Sequence, residues 1–168
     1  GSNILKFVMK KIKDPIYVMG TGPELADLKK YCNNNRYNHV HFLGKVSQKK
    51  CFSHMSSALC TIVPSQCGES FSLTAAESMS LGTPVIGSNV GGLSGLLKES
   101  AAGITVRRDN AQEFVNAINS LKNDKLMYDT LSKNGKKYTY EQLNLKKNSL
   151  ALISIYKKVL KEVALHDN

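Results

Sequence analysis

The chain has 168 residues, 23 Lys and Arg against 13 Asp and Glu, and a formal net charge of +10. That length suits one domain, or one lobe of a two-lobe protein, and a 42% hydrophobic content is enough to build a core. No apolar run approaches the ~20 residues that span a bilayer, and no signal peptide is visible, so membrane-spanning, secreted and collagen-like classes are set aside. Cys32, Cys51, Cys60 and Cys67 are too few for a disulfide scaffold of this size, and their spacing lacks the close pairs of a zinc site. The expected compartment is reducing and cytoplasmic. Gly1-Ser2 reads as the remnant of a cleaved tag.

In chain order, Ile4, Leu5, Val8, Met9 and Ile12 have helical spacing, and Pro15 ends that helix. Ile16-Tyr17-Val18-Met19 then reads as a buried strand running into the turn Gly20-Thr21-Gly22-Pro23. Leu25, Leu28 and Cys32 line a helix that stops at Asn33-Asn34-Asn35, a run of poor helix formers. A second strand is expected over His39–Leu43, closed by Gly44, followed by a helix capped by Ser47 that turns Phe52, Met55 and Ser56 inward. A third strand is expected over Ala58–Val63, a helix from Phe71 to Leu81, and a fourth strand over Pro84–Gly87. Gly91-Gly92 opens a short helical turn through Leu97, and Gly103–Val106 is the fifth strand. Helices over 110–122, 124–137 and 141–163 complete the chain, the last carrying a Leu150, Ile153, Tyr156, Leu160 stripe expected to pack.

Five alternations of strand and helix without a hairpin signal predict an α/β fold with a Rossmann-like, doubly wound parallel sheet. Residues 1–168 read as a single domain. Such a sheet usually starts on a strand, whereas this chain starts on a helix, so a first strand is expected to be missing. Ligands of these sheets bind outside the carboxyl ends of the strands, which directs attention to the loops after Met19, Leu43, Val63 and Ile86.

The loop after Val63 is the most informative. Pro64 ends a strand, a stretch of small residues follows, and a helix begins near Phe71. The backbone N–H groups of Ser70, Phe71, Ser72 and Leu73 would then face the crevice with the positive end of the helix dipole, an anion seat worth roughly 0.3–2 kcal/mol. Glu69 stands just before the helix and Glu77 about two turns along it. Carboxylates accept from hydroxyls, so two acids beside an anion seat suit a diphosphate flanked by polyols, the layout of a sugar nucleotide. The spacing alone is equally accounted for by acids that merely complement the dipole.

The other candidates carry less. The lysines are dispersed from Lys6 to Lys161, and Arg36, Arg107 and Arg108 are the only arginines, which argues for a solvated surface and against nucleic acid as a partner. His39 and His41 alternate on one strand with no Cys, Asp or Glu beside them, so no metal is expected. His54 reads as a surface or boundary residue, and Cys67 has no His adjacent in sequence to activate it. Gly20-Thr21-Gly22 lacks the third Gly and the later acid of a dinucleotide fingerprint.

Glu69 and Glu77 resemble the Glu-x7-Glu motif of retaining glycosyltransferases of the GT-B architecture, family 4 (group 1). Gly20-Thr21-Gly22-Pro23, His41-Phe42-Leu43-Gly44-Lys45-Val46, Pro64-Ser65, Glu77-Ser78-Met79-Ser80-Leu81-Gly82-Thr83-Pro84-Val85, Gly91-Gly92 and Gly103-Ile104-Thr105-Val106 follow that family's pattern in order. The resemblance implies the C-terminal, donor-binding lobe of a hexosyltransferase that uses a UDP- or GDP-sugar without a metal and acts on a glycan or lipid-linked acceptor. It implies contact of Glu69 with the donor hexose at the reaction centre, and of Ser70, Phe71, Ser72 and Leu73 with the hexose and diphosphate. Glu77 would take the ribose, and Lys45, Val46 and Ser47 the nucleobase.

The sequence departs from the family at Ser70 and Ser72, where Gly is frequent. The Arg and Lys that follow the family's first strand in this lobe, and the acceptor-binding N-terminal domain, have no counterpart in it. The fragment alone is therefore expected to be inactive. The parent protein is expected in the cytoplasm, and peripheral association at the inner face of the cell membrane is the accompanying expectation, in surface polysaccharide synthesis. The rival readings are a sugar-nucleotide epimerase-type GT-B enzyme and a non-catalytic flavodoxin-like nucleotide-binding module.

Overall fold

Val85–Ser88 is buried along its whole length, and its alternating side chains enter two different cores. Ile86 joins Ile4, Val8, Ile12, Val106, Phe114 and Ile118 on one face, whereas Val85 joins Val63, Ala75, Met79, Leu93 and Leu97 on the other. A strand covered on both faces is the centre of a three-layer sheet, with helices above and below. A computed structural model describes residues 1–166 of the chain. Residues 167 and 168, included in the expected single domain, lie outside the described residues.

The elements are α1 (Ser2–Lys11), β1 (Ile16–Met19), α2 (Leu25–Asn34), β2 (Val40–Gly44), α3 (Gln48–Ser57), β3 (Thr61–Val63), α4 (Leu73–Ser80), β4 (Val85–Ser88), α5 (Gly91–Ser100) and β5 (Gly103–Val106). Three helices follow: α6 (Ala111–Asn123), α7 (Lys125–Gln142) and α8 (Leu145–His166). Every strand pair is parallel. In β1–β2 Ile16 sits opposite Val40, with an irregularity at Val18/Met19, and in β3–β4–β5 Thr61, Val85 and Gly103 stand side by side.

The sheet is divided: β1 pairs with β2, and β3–β4–β5 form a second group that shares no hydrogen-bonded ladder with the first. Helix α1 joins them. Its Ile4, Val8 and Ile12 enter the core shared with β4, β5 and α6, while Met9 packs with Leu28, Cys32 and Val40 beneath β1–β2. The chain runs from β1 to its neighbour β2, then returns to begin β3 in the second group. All five strands are parallel to their partners, and open α/β sheets bind ligands outside the carboxyl ends of such strands.

Several boundaries differ from those expected. Residues 58–60 are not strand, because the Ala58 N–H is spent capping α3 on the Met55 carbonyl; only Thr61–Val63 pairs with β4. Helix α4 starts at Leu73 rather than Phe71, with Ser72 as its N-cap and Phe71 42% exposed in the preceding loop. Helix α5 continues to Ser100, where Ala101 turns left-handed, and α7 continues to Gln142. Ser56 is exposed, and only Met55 of the three α3 residues expected inside is buried. The α8 stripe is exposed rather than packed, Leu150 by 59% and Leu160 by 68%. Among the described residues no helix is long and apolar enough to cross a membrane.

Helix α4 is fastened to its surroundings by buried hydroxyls. Ser78 donates to the Thr83 carbonyl at 2.9 Å and pairs with the Thr61 hydroxyl at 2.8 Å, and Thr83 donates to the Met55 carbonyl at 2.7 Å. Ser88, at the end of β4, is fully buried with no partner for its hydroxyl among the described residues. Losing a partner strands the groups left behind, whereas losing an unpartnered hydroxyl strands nothing. Ser78→Ala is therefore expected to lower unfolding stability in urea by about 1–3 kcal/mol, and Ser88→Ala to leave it unchanged or raise it.

Candidate functional site

The site is built on the segment from Pro64 to Ser72, between β3 and α4. None of the backbone N–H groups from Ser70 to Ala75 donates to another group among the described residues; the ladder of α4 begins with the Ala76 N–H on the Ser72 carbonyl. The free donors therefore extend two residues further along the chain than the Ser70–Leu73 set expected from sequence, because the helix starts later. They add to the partial positive charge of the helix start, which favours an anion or strong acceptor. Ser70 and Phe71 are exposed, Ser72 is buried, and Leu73 is 71% exposed. The Ser72 side chain makes no capping hydrogen bond.

Glu69 is half-buried, and the Ser65 hydroxyl donates to its Oε1 at 2.9 Å. The turn around it rests on the start of α5. The Gly92 N–H donates to the Glu69 carbonyl at 2.6 Å, and Gly91 takes a positive φ of 44°. A Cβ on Gly92 would strike the Ser70 carbonyl, and one on Gly91 would lie 2.5 Å from the Glu69 carbonyl oxygen. Two glycines are needed because backbone meets backbone there.

The loops after β3, β4 and β5 are tied together. Gln66 Nε2 donates to the Arg108 carbonyl at 2.8 Å, Arg108 Nη1 donates to the Gln66 carbonyl at 3.5 Å, and the Arg108 N–H donates to Asn89 Oδ1 at 3.2 Å. Beside them the Arg107 N–H and guanidinium bind the Glu113 carboxylate and hold it below the usual carboxyl range.

Glu77 lies half-buried on α4, facing other neighbours than Glu69 does. Gln48 Nε2, from the first turn of α3, donates to Glu77 Oε1 at 3.3 Å. Burial and the Glu77 charge raise the Cys51 thiol one turn further along α3. Ser47 caps α3 by accepting from the Lys50 N–H at 3.4 Å, which fixes Lys45, Val46 and Ser47 at the carboxyl end of β2 next to that contact. Lys45 and Ser47 are exposed and Val46 half-buried. On its other side Glu77 borders an open groove of about 850 Å³ between α4 and α7, lined by Lys136, Lys137 and Tyr140 among others.

The structure thus places Glu77 beside the Lys45–Ser47 loop, and Glu69 within the Ser70–Leu73 loop. Sequence reading gave no role to Ser65, Gln48, Gln66 or Arg108. The last three act across long sequence separations, and Ser65 alone lies within the local motif, next to Pro64. His54 and His41 flank Tyr17, with ring centroids 4.8 and 5.1 Å away, and His39 Nε2 lies 2.9 Å from the Met9 carbonyl. Burial pushes the Cys60 thiol up to about 12.

The tight approach of α5 makes a paired prediction. Gly92→Ala should destabilise the chain by about 1–3 kcal/mol through overpacking and disorder the Glu69 turn. Gly95→Ala, in the same helix with nothing within 4 Å of its added carbon, should be neutral or gain up to ~1 kcal/mol in helix propensity. Thermal melting, with amide exchange at Glu69 and Ser70, reads both.

The model of the family "Glycosyl transferases group 1" matches residues 6–138. An uncharacterized glycosyltransferase of Methanocaldococcus jannaschii, MJ1178, is 28% identical over 139 residues, 83% of this chain and 39% of that protein. The chain spans less than half the length of the curated relatives it matches. Sucrose-phosphate synthase from Thermosynechococcus elongatus superposes with a TM-score of 0.81 at 28% identity, covering 96% of this chain and 43% of that one. Anabaena Alr3699/HepE, crystallised in complex with UDP-glucose, superposes at 0.76 with 19% identity, covering 98% and 45%. The arrangement of parallel strands and helices is that of the C-terminal lobe of the GT-B architecture. The chain belongs to the group 1 glycosyl transferase family.

Proposed function

We propose that residues 1–168 are the nucleotide-sugar-binding lobe of a retaining hexosyltransferase, which takes its sugar from a UDP- or GDP-linked donor. The observation that carries this reading is the run of unspent backbone N–H groups from Ser70 to Ala75, flanked by carboxylates at Glu69 and Glu77. Donors fixed by the fold offset the charge of a leaving diphosphate without reorganising, the kind of electrostatic stabilisation on which such chemistry depends. Ser70, Phe71, Ser72 and Leu73 bind hexose hydroxyls and diphosphate, and Glu69, oriented by Ser65, contacts the hexose at the reacting carbon. Glu77 accepts from the ribose diol, and Lys45, Val46 and Ser47 border the base. The UDP-glucose complex of the similarly folded Anabaena protein supports a nucleotide sugar as the ligand.

A second lobe supplies the glycan or lipid-linked acceptor in this proposal, so the chain alone transfers nothing. An anionic membrane face would attract the net charge of +10, and the resemblance to the family is what suggests surface polysaccharide synthesis as the pathway.

Glu77→Gln should weaken UDP or GDP binding by roughly 1–3 kcal/mol, the loss of a hydrogen bond to a charged group, as read by calorimetry. Glu69→Ala in the full-length enzyme should lower turnover far more than nucleotide affinity, because its contact is with the reacting sugar. The opposite split would exchange the roles of the two acids. Sugar transfer by the purified 168-residue chain would show that the second lobe is dispensable.

A further inference from the structure

We infer that Gln48 is the residue that positions Glu77 and so gives this lobe its preference for ribonucleotides over 2′-deoxyribonucleotides; the inference rests on the proposed contact of Glu77 with the ribose. Gln48 opens α3 immediately after the cap Ser47, so its backbone is fixed by the first turn. Its amide donates to Glu77 Oε1 at 3.3 Å, and Glu77 makes no other side-chain hydrogen bond and no ion pair among the described residues. Gln48 and Cys51 from α3 stand by the carboxylate, while Lys136, Lys137 and Tyr140 of α7 line the groove that Glu77 borders, without pairing with it among the described residues.

The chemistry of the amide fits this task. A carboxylate has two oxygens with about four lone-pair sites. Gln48 occupies Oε1 and restrains the rotation of the side chain, leaving Oε2 to accept from a diol. A neutral donor holds the carboxylate without cancelling its charge, whereas an ammonium or guanidinium at the same place would compete with the hydroxyls for it. Gln48 itself touches no reacting atom and acts through Glu77.

The test titrates the folded chain with UDP and with 2′-deoxy-UDP, and compares wild type, Gln48→Leu, Gln48→Glu and Glu77→Gln. Wild type should favour UDP by about tenfold or more, the size of a lost hydrogen bond to a charged group. Gln48→Leu should reduce that ratio to within about twofold or threefold through weaker UDP binding, with 2′-deoxy-UDP little affected. Gln48→Glu sets a second carboxyl beside Glu77, and two carboxyls in that position share a proton at low pH. The preference in Gln48→Glu should therefore fall as pH rises and the shared proton is lost.

A structural role at the start of α3 would move neither the nucleotide ratio nor its pH profile. If Gln48→Leu keeps the wild-type ratio, or weakens both nucleotides equally, while Glu77→Gln loses the ratio, the inference about Gln48 is overturned and the ribose contact stands. If wild type binds neither nucleotide, or does not distinguish them, both fall.

Discussion

The site depends on one close approach of backbone to backbone, where the first turn of α5 meets the turn at Glu69–Ser70. That contact has room for hydrogen atoms at Gly91 and Gly92 and for nothing larger, and its one hydrogen bond runs from the Gly92 N–H to the Glu69 carbonyl. A loop rich in small residues would otherwise sample many conformations, and its N–H groups would point in many directions. Pressed against α5, the chain enters α4 with the N–H groups from Ser70 to Ala75 unspent. The reach of Gln66 to Arg108, and of Arg108 to Asn89, extends the same restraint across the ends of β3, β4 and β5.

The topology explains why such a loop lies here. β3 opens the second strand group, and its loop leaves the carboxyl end of a parallel strand, where open α/β sheets bind their ligands. Helix α1 spans the division by feeding both cores, so the two strand groups keep their relation without a shared ladder. The buried hydroxyls of Ser78 and Thr83 then fasten α4 to β3 and α3, and this brings Glu77 to the first turn of α3. The two acids of one short motif are thus served by different elements, Glu69 by α5 and its own loop, Glu77 by α3 and α7.

Much of this was legible in the sequence, and the parts that were not share a physical cause. β1 and β5 fall on their expected residues because Pro15 and Gly20 bracket the first run, while Gly103 opens the second and Arg107-Arg108 end it. Ser47 was legible as a cap because capping depends on residues three apart. β3 is shorter than its apolar run because the run does not show which of its N–H groups a neighbouring helix end will use; the Ala58 N–H goes to α3. The expected start of α4 lies two residues early because Phe71 fits a helix by composition, while the N-cap Ser72 takes an extended backbone conformation. The partners of the site residues, Gln48 for Glu77 and Arg108 for Gln66, join segments about 30 to 40 residues apart and carry no local signal. The α8 stripe shows the remaining limit: period reveals an apolar face, but not whether anything within the described residues covers it.

In the proposed function, the unspent N–H groups at the start of α4 are what a nucleotide sugar binds. Backbone amide spectra of the chain, recorded while UDP-glucose is added, test it most directly. The largest shifts should fall on the amides from Ser70 to Ala75 and on those near Lys45–Ser47. Saturable binding that leaves those amides unmoved and shifts resonances elsewhere would contradict it.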